Sequence, residues 1–182
     1  IRLRRRSRHC HGQAACARSH GAQRSHNHTL YRYRSRGNPP LIDTTLPLFF
    51  FGGTFDPPHR GHYKIARYVL DRFADSRVIV MPAASAPLRT DDRLFSFRER
   101  FELLRALFHS EITARRIILS PLERLLPKPN FTFSTLAALR ERCGQKPVVV
   151  VGGDQAQKLG SWHRSAELIG EYEFLVFARA GS

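Results

Sequence analysis

A chain of 182 residues, 42% of them hydrophobic, holds enough apolar material for one globular core. Its net charge of +15 is uneven: residues 1–46 carry ten arginines against one acid, Asp43, while residues 47–182 carry 20 Lys+Arg against 14 acids. The second part is only moderately basic, so the overall charge does not make this a nucleic-acid-binding protein. No apolar run approaches the roughly 18 residues a membrane span needs.

Residues 1–46 hold five of the nine histidines and no apolar periodicity able to bury a face, so they are expected to be disordered. Three readings stay open for them: a basic arm, a non-native upstream extension, or a targeting peptide. An arm of this kind attracts nucleic acid only non-specifically. His9-x-His11 and His26-x-His28 lack a scaffold and read as solvated rather than metal-binding. Cys10, Cys16 and Cys143 show neither metal nor disulfide spacing, which fits a reducing compartment, and a cytoplasmic protein is expected.

From Pro47 a regular alternation begins. PLFFFGG (47–53) is an apolar strand stopped by two glycines, and HYKIARYVLDRFA (62–74) places Ile65, Val69 and Phe73 at helical spacing. RVIVMPA (77–83) is a second buried strand. Ser96 is positioned to cap a helix through His109, with Phe101, Leu104 and Phe108 on one stripe. RRIILS (115–120) is a third strand. Thr132 or Ser134 then caps a helix running to Cys143, and Gly144 ends it. PVVVVGG (147–153) is a fourth strand, again stopped by two glycines. Short helical pieces at 154–159 and 163–170 precede a fifth strand, EYEFLVFARA (171–180).

Continuous Val/Ile/Leu/Phe strands alternating with helices predict an α/β, doubly wound, Rossmann-like parallel sheet of five strands. Its domain spans 47–182. The chain stops directly after the fifth strand with no closing helix, so a missing C-terminal part is expected. Ligands of such sheets bind at the carboxyl ends of the strands, beside a topological switch point. Gly52-Gly53 and Gly152-Gly153 both fall at that edge.

Between Gly53 and the first helix lie Thr54-Phe55-Asp56-Pro57-Pro58 and then His59-Arg60-Gly61-His62. A helix N-terminus with free N–H groups suits phosphate, and two imidazoles three residues apart add donors to it. The turn is neither a P-loop nor a GxGxxG fingerprint. The plain alternative is that one histidine caps the helix and the other faces water.

GGTFDPPHRGH resembles the GGTFDPxHxGH signature of nicotinate-nucleotide adenylyltransferases, in the HxGH nucleotidylyltransferase superfamily. MPAASAP (81–87), NFTFSTLAAL (130–139) and VVVVGGDQAQKLGSWHRSAELI (148–169) resemble further segments of that family, in order. The resemblance implies transfer of the adenylyl group of ATP to nicotinate mononucleotide, giving deamido-NAD and pyrophosphate. It implies His59 and His62 on the triphosphate, with Gly52, Gly53, Thr54, Phe55, Arg89, Gly152 and Asp154 around the nucleotide. Magnesium would ride on the β and γ oxygens rather than on the protein. Phe131, Thr132, Trp162 and His163 would receive the nicotinate, Trp162 by stacking and the Thr132 and His163 amides by binding its acid group. Asp154 would contact a ribose hydroxyl, or cap the short helix that follows.

Three departures stand out. Pro87-Leu88-Arg89 replaces the usual Pro-His-Lys or Pro-His-Arg, losing an imidazole while keeping a cation. Phe131 replaces a tyrosine. An ISSTxIR-like element is absent, and the expectation from that absence is weak nucleotide binding and slow or no turnover. The enzyme alternative is another member of the superfamily, a pantetheine-phosphate adenylyltransferase, which usually has Thr where His59 stands, or a cytidylyltransferase, neither being expected to carry the Trp162 segment. A non-catalytic relic with a nucleic-acid-binding arm is the alternative outside enzymes. The residues give no oligomeric state.

Overall fold

The computed structural model describes residues 30–33, 46–84 and 93–178. Arg89, Cys10, Cys16 and both N-terminal histidine pairs lie outside them. In chain order the described elements are β1 (Leu30–Tyr33), β2 (Leu48–Gly53), α1 (Arg60–Arg72), β3 (Arg77–Pro82), α2 (Phe97–Leu107), α3 (His109–Thr113), β4 (Ile117–Leu119), α4 (Thr132–Cys143), β5 (Val148–Gly152), α5 (Gly153–Gln157), α6 (Ser165–Glu171) and β6 (Phe174–Phe177). Single turns of 3₁₀ helix lie at Leu122–Arg124 and Leu159–Ser161.

The sheet order is β1-β6-β5-β2-β3-β4. The five strands from β6 to β4 pair in parallel, which is the doubly wound architecture expected from the sequence. β1 is an addition: its backbone pairs antiparallel with β6, Leu30 opposite Phe177 and Tyr33 opposite Phe174. The reading of residues 1–46 contained no element there, because four residues are too few to show a period.

Alternation along the strands builds two cores. Phe49, Phe51, Val78 and Val80 point to one face, where Ala66, Val69 and Leu70 of α1 and Leu104 of α2 cover them. Leu48, Phe50, Ile79 and Met81 point to the other, under Leu136 and Leu139 of α4 and Leu168 of α6. Each fully buried Leu or Phe contributes about 1.5–3 kcal/mol, so β2, packed on both faces, anchors the domain.

The helix ends differ in instructive ways from the sequence expectation. Ser96 does cap α2, its hydroxyl accepting from Glu99 N–H while Glu99 accepts from Ser96 N–H. The helix ends at Leu107 rather than His109, because the chain turns at fully buried Phe108 before α3. The buried stripe is Arg100, Leu104 and Phe108, with Phe101 only half-buried. Neither Thr132 nor Ser134 caps α4. Phe131 is its N-cap, without a side-chain bond, because buried Asn130 fixes the chain by donating to Glu123 O and Pro127 O. Gly144 ends α4 in the left-handed region, φ +68°, as expected.

β2 and β5 are neighbours on either side of the point where the winding reverses. Their register covers Phe49–Val148 and Phe50–Val149 only, so past it the two double glycines flank an opening. The glycines there serve different ends. A Cβ on Gly52 would sit 2.5 Å from Phe50 Cζ, in the core, whereas one on Gly152 would meet nothing within 4 Å. Gly52→Ala should therefore cost about 1–3 kcal/mol of overpacking, a fall in melting temperature of roughly 3–10 °C, while Gly152→Ala leaves it nearly unchanged. Parallel thermal melts of the two variants check this.

Candidate active site

A cleft of about 1150 Å³ opens at the switch point. Gly52, Gly53, Thr54, Phe55, His59 and His62 line its β2 side, and Gly152 and Asp154 its β5 side. Phe131, Thr132, Trp162 and His163 close it from the α4 end. All the site residues read from the sequence thus meet in one cavity except Arg89, which is outside the described residues.

The turn into α1 is held in an unusual way. His59 is the N-cap, and its Nδ1 accepts from Gly61 N–H at 3.1 Å. His62, at the third helical position, returns the favour: its Nδ1 accepts from His59 N–H at 3.1 Å. The rings stack with centroids 3.8 Å apart. Two imidazoles here do what Ser and Glu do in an ordinary capping box. This departs from the expectation of a helix start offering free N–H groups to phosphate, since the cap consumes those of His59 and Gly61. Gly61 is needed at this spot because a Cβ would come within 2.8 Å of the His59 ring.

The same bonds fix the chemistry of the pair. A nitrogen that accepts carries no hydrogen, so in the neutral rings both protons sit on Nε2. Burial, and then the neighbouring charge of His59, push the pKa of His62 down to about 4. At neutral pH His62 is therefore an uncharged N–H donor. Phe55 braces it edge-on at 4.8 Å, and holds a positive φ of 51° with its ring buried against Phe51. An aromatic residue in that region is strained, and here packing on both sides of the ring holds it.

On the other side, α4 begins at Thr132 with no side-chain cap, so its first-turn amides have no intrahelical partner. His163 stacks on Phe131 at 4.2 Å. Trp162 is half-buried: part of it packs against the second core and part lines the cleft. Asp154 is not the cap of α5. Gly152 is, and Asp154 lies in the first turn facing the cleft.

Several residues of the site were missed from sequence. Asp56 accepts from Leu94 N–H and Phe95 N–H, both at 3.0 Å, tying the turn to the start of α2. Lys64 and Lys158 add cations to the lining, and Glu123 and Asn130 complete its floor. Arg100 lies behind the turn, its signal being a charge on the buried stripe of α2. Among the described residues no three His, Cys, Asp or Glu side chains converge as metal ligands. Asp56, engaged by two amides, serves the backbone of the turn.

Residues 50–180 match the cytidylyltransferase-like family. The "Probable nicotinate-nucleotide adenylyltransferase" of Exiguobacterium sibiricum is 34% identical over 138 residues, 75% of this chain and 71% of its own length. Its namesake from Gloeobacter violaceus is 34% identical over 74% of this chain and 65% of its own length. The chain belongs to the nicotinate-nucleotide adenylyltransferase family of nucleotidyltransferases. A Plasmodium falciparum nicotinic acid mononucleotide adenylyltransferase solved with NaAD shares the fold, with TM-score 0.64 at 18% identity, over 74% of this chain and 65% of that one. A Vibrio parahaemolyticus structure does too, at TM-score 0.58 and 22% identity, over 73% of this chain and 74% of that one. No helix among the described residues is long and apolar enough to cross a membrane.

The lowered pKa of His62 makes a prediction about acid. The unfolded chain takes up its proton near 6.5, whereas the folded protein refuses it until about pH 4, so acidification through that window favours unfolding. Melting temperature should fall as pH drops from 6.5 to 4. His62→Asn, which keeps an acceptor but cannot take up the proton, should flatten part of that fall in pH-resolved thermal melts.

Proposed function

We propose that the chain transfers the adenylyl group of ATP to nicotinate mononucleotide, giving deamido-NAD and pyrophosphate in NAD biosynthesis. One observation carries the reading: a single cleft holds the imidazole pair on one side and Thr132, Trp162 and His163 on the other. The names of the relatives support it.

The chemistry asks for little beyond placement. The nucleophile is the 5′-phosphate of nicotinate mononucleotide, whose second pKa near 6 leaves it ionised at neutral pH, so no general base is needed. Its oxygen attacks the α-phosphorus, the bond from that phosphorus to the bridging oxygen breaks, and pyrophosphate leaves. The obstacle is the approach of one anion to another, and what lowers it is alignment and donors aimed at the growing charge. His59 and His62 would supply Nε2–H donors to phosphate oxygens, His62 as a neutral donor rather than a cation. Positive charge would come from Lys64, Lys158 and Arg89. Magnesium, held through the β and γ oxygens with no protein ligand assigned, would draw charge from the leaving pyrophosphate.

For the second substrate, Trp162 would stack on the nicotinate ring. The amides of Thr132 and His163 would receive its carboxylate, which only accepts hydrogen bonds, and so favour the acid over the amide.

The test is incubation of the chain with ATP, magnesium and, separately, nicotinate mononucleotide, its amide and phosphopantetheine, with a CTP series beside it. Deamido-NAD is the expected product; consumption of another acceptor in its place would overturn the reading. His59→Asn keeps the cap but loses the Nε2–H donor. It should melt close to the parent while kcat falls about 10²-fold. Trp162→Ala should raise KM for nicotinate mononucleotide about 10–100-fold with a smaller change for ATP, in steady-state assays varying each substrate.

A further inference from the structure

Arg100 is fully buried and does not itself line the cleft, yet its guanidinium ends on two residues that do, Thr54 and Ala83. Nη2 donates to Ala83 O at 3.0 Å, Nη1 to Thr54 O, and Nε to Phe95 O at 3.3 Å. Glu123, only 8% exposed, sits opposite. Its Oε2 accepts from Ala84 N–H at 3.0 Å and its Oε1 from the Thr135 hydroxyl at 3.1 Å.

The Ala83 carbonyl and the Ala84 N–H belong to the same peptide group. That amide therefore lies in series between a guanidinium on its oxygen and a carboxylate on its hydrogen. Charges of opposite sign at the two ends polarise it in the same sense, so each hydrogen bond strengthens the other. From this peptide Arg100 reaches Thr54, one residue before Phe55 and the imidazole turn. Glu123 reaches Thr135, one turn into the helix that opens at Thr132. One continuous path thus joins the two sides of the cleft.

Both carboxylate oxygens of Glu123 are engaged by these contacts, one on the peptide and one on α4. A purely stabilising ion pair is a poor account. Buried charges are a weak source of stability, and the hydrogen bonds of these go to backbone groups and the Thr135 hydroxyl.

We infer that Arg100 and Glu123, acting through the Ala83–Ala84 peptide, are positioning residues that set the separation between the imidazole turn and the N-terminus of α4. Resting on the function proposed above, this means that they hold the two substrates in line for attack. Disturbing the path changes alignment more than the binding of either substrate alone.

The test uses two conservative variants, Arg100→Lys and Glu123→Gln, and their double. The first readout needs no substrate: the Ala84 amide proton in ¹⁵N-resolved NMR spectra of the chain. It lies downfield, moves upfield in Glu123→Gln, and also moves upfield in Arg100→Lys, where only the far end of the peptide is altered. An Ala84 signal that stays put in well-dispersed spectra of Arg100→Lys overturns the relay. The second readout is kinetic. Each variant loses about 10–100-fold in kcat while affinity for ATP alone stays within about threefold, and the double variant loses little more than the worse single. Equal losses in ATP affinity and kcat, or a kcat within about threefold of the parent, overturn the positioning role. If the parent chain itself forms no deamido-NAD, the functional reading fails alone, and the Ala84 signal still decides the relay.

Discussion

Where a parallel sheet ends, its strands leave backbone groups that must be paired before anything else can be built there. This constraint organises the cleft. Gly53 O is taken by Ala83 N–H, Thr54 O and Ala83 O by Arg100, and Ala84 N–H by Glu123. Asp56 takes the amides of Leu94 and Phe95, and the two imidazoles take the start of α1. The polar side chains around the site are thus first of all the partners of its backbone. Among the described residues, the second nitrogen of each imidazole, the uncapped start of α4 and the lysines of the lining are left to face the cleft.

Both histidines cap, through Nδ1, and capping is what orients Nε2 and decides which nitrogen keeps its hydrogen. Neutrality of His62 follows from the same burial. His62 is better described as a rigid neutral donor than as a cation.

The architecture was legible in the sequence because its signals are local and repeated: Val/Ile/Phe runs for buried strands, Ser96 three residues before Glu99, Gly144 after the last turn of α4. The GGTFDPPHRGH string and the Trp162 segment located the cleft, since a parallel sheet brings their strand ends together. The rest depended on pairings between distant residues. Nothing near Thr135 announces a bond to Glu123, and nothing near Thr54 points 46 positions ahead to Arg100. Arg100 did leave a trace, at four-residue spacing before Leu104 and Phe108, but a lone charge on an apolar stripe is easily assigned to solvent. The start of α4 was misjudged for a related reason: buried Asn130, not a hydroxyl, sets it. β1 left no readable pattern.

That short strand bears on how the molecule behaves in a crowd. A sheet offers unpaired backbone at its two outer strands, and long, flat, apolar edges recruit other chains. Here one outer strand is β1, four residues long, and the other is β4, three residues long, with Arg115 and Arg116 just before it. Among the described residues neither presents enough consecutive backbone to template a seventh strand, while the aromatic-rich strand β2 lies in the interior, flanked by β5 and β3. The segment most prone to stick to copies of itself is thereby held two strands in from the nearer edge.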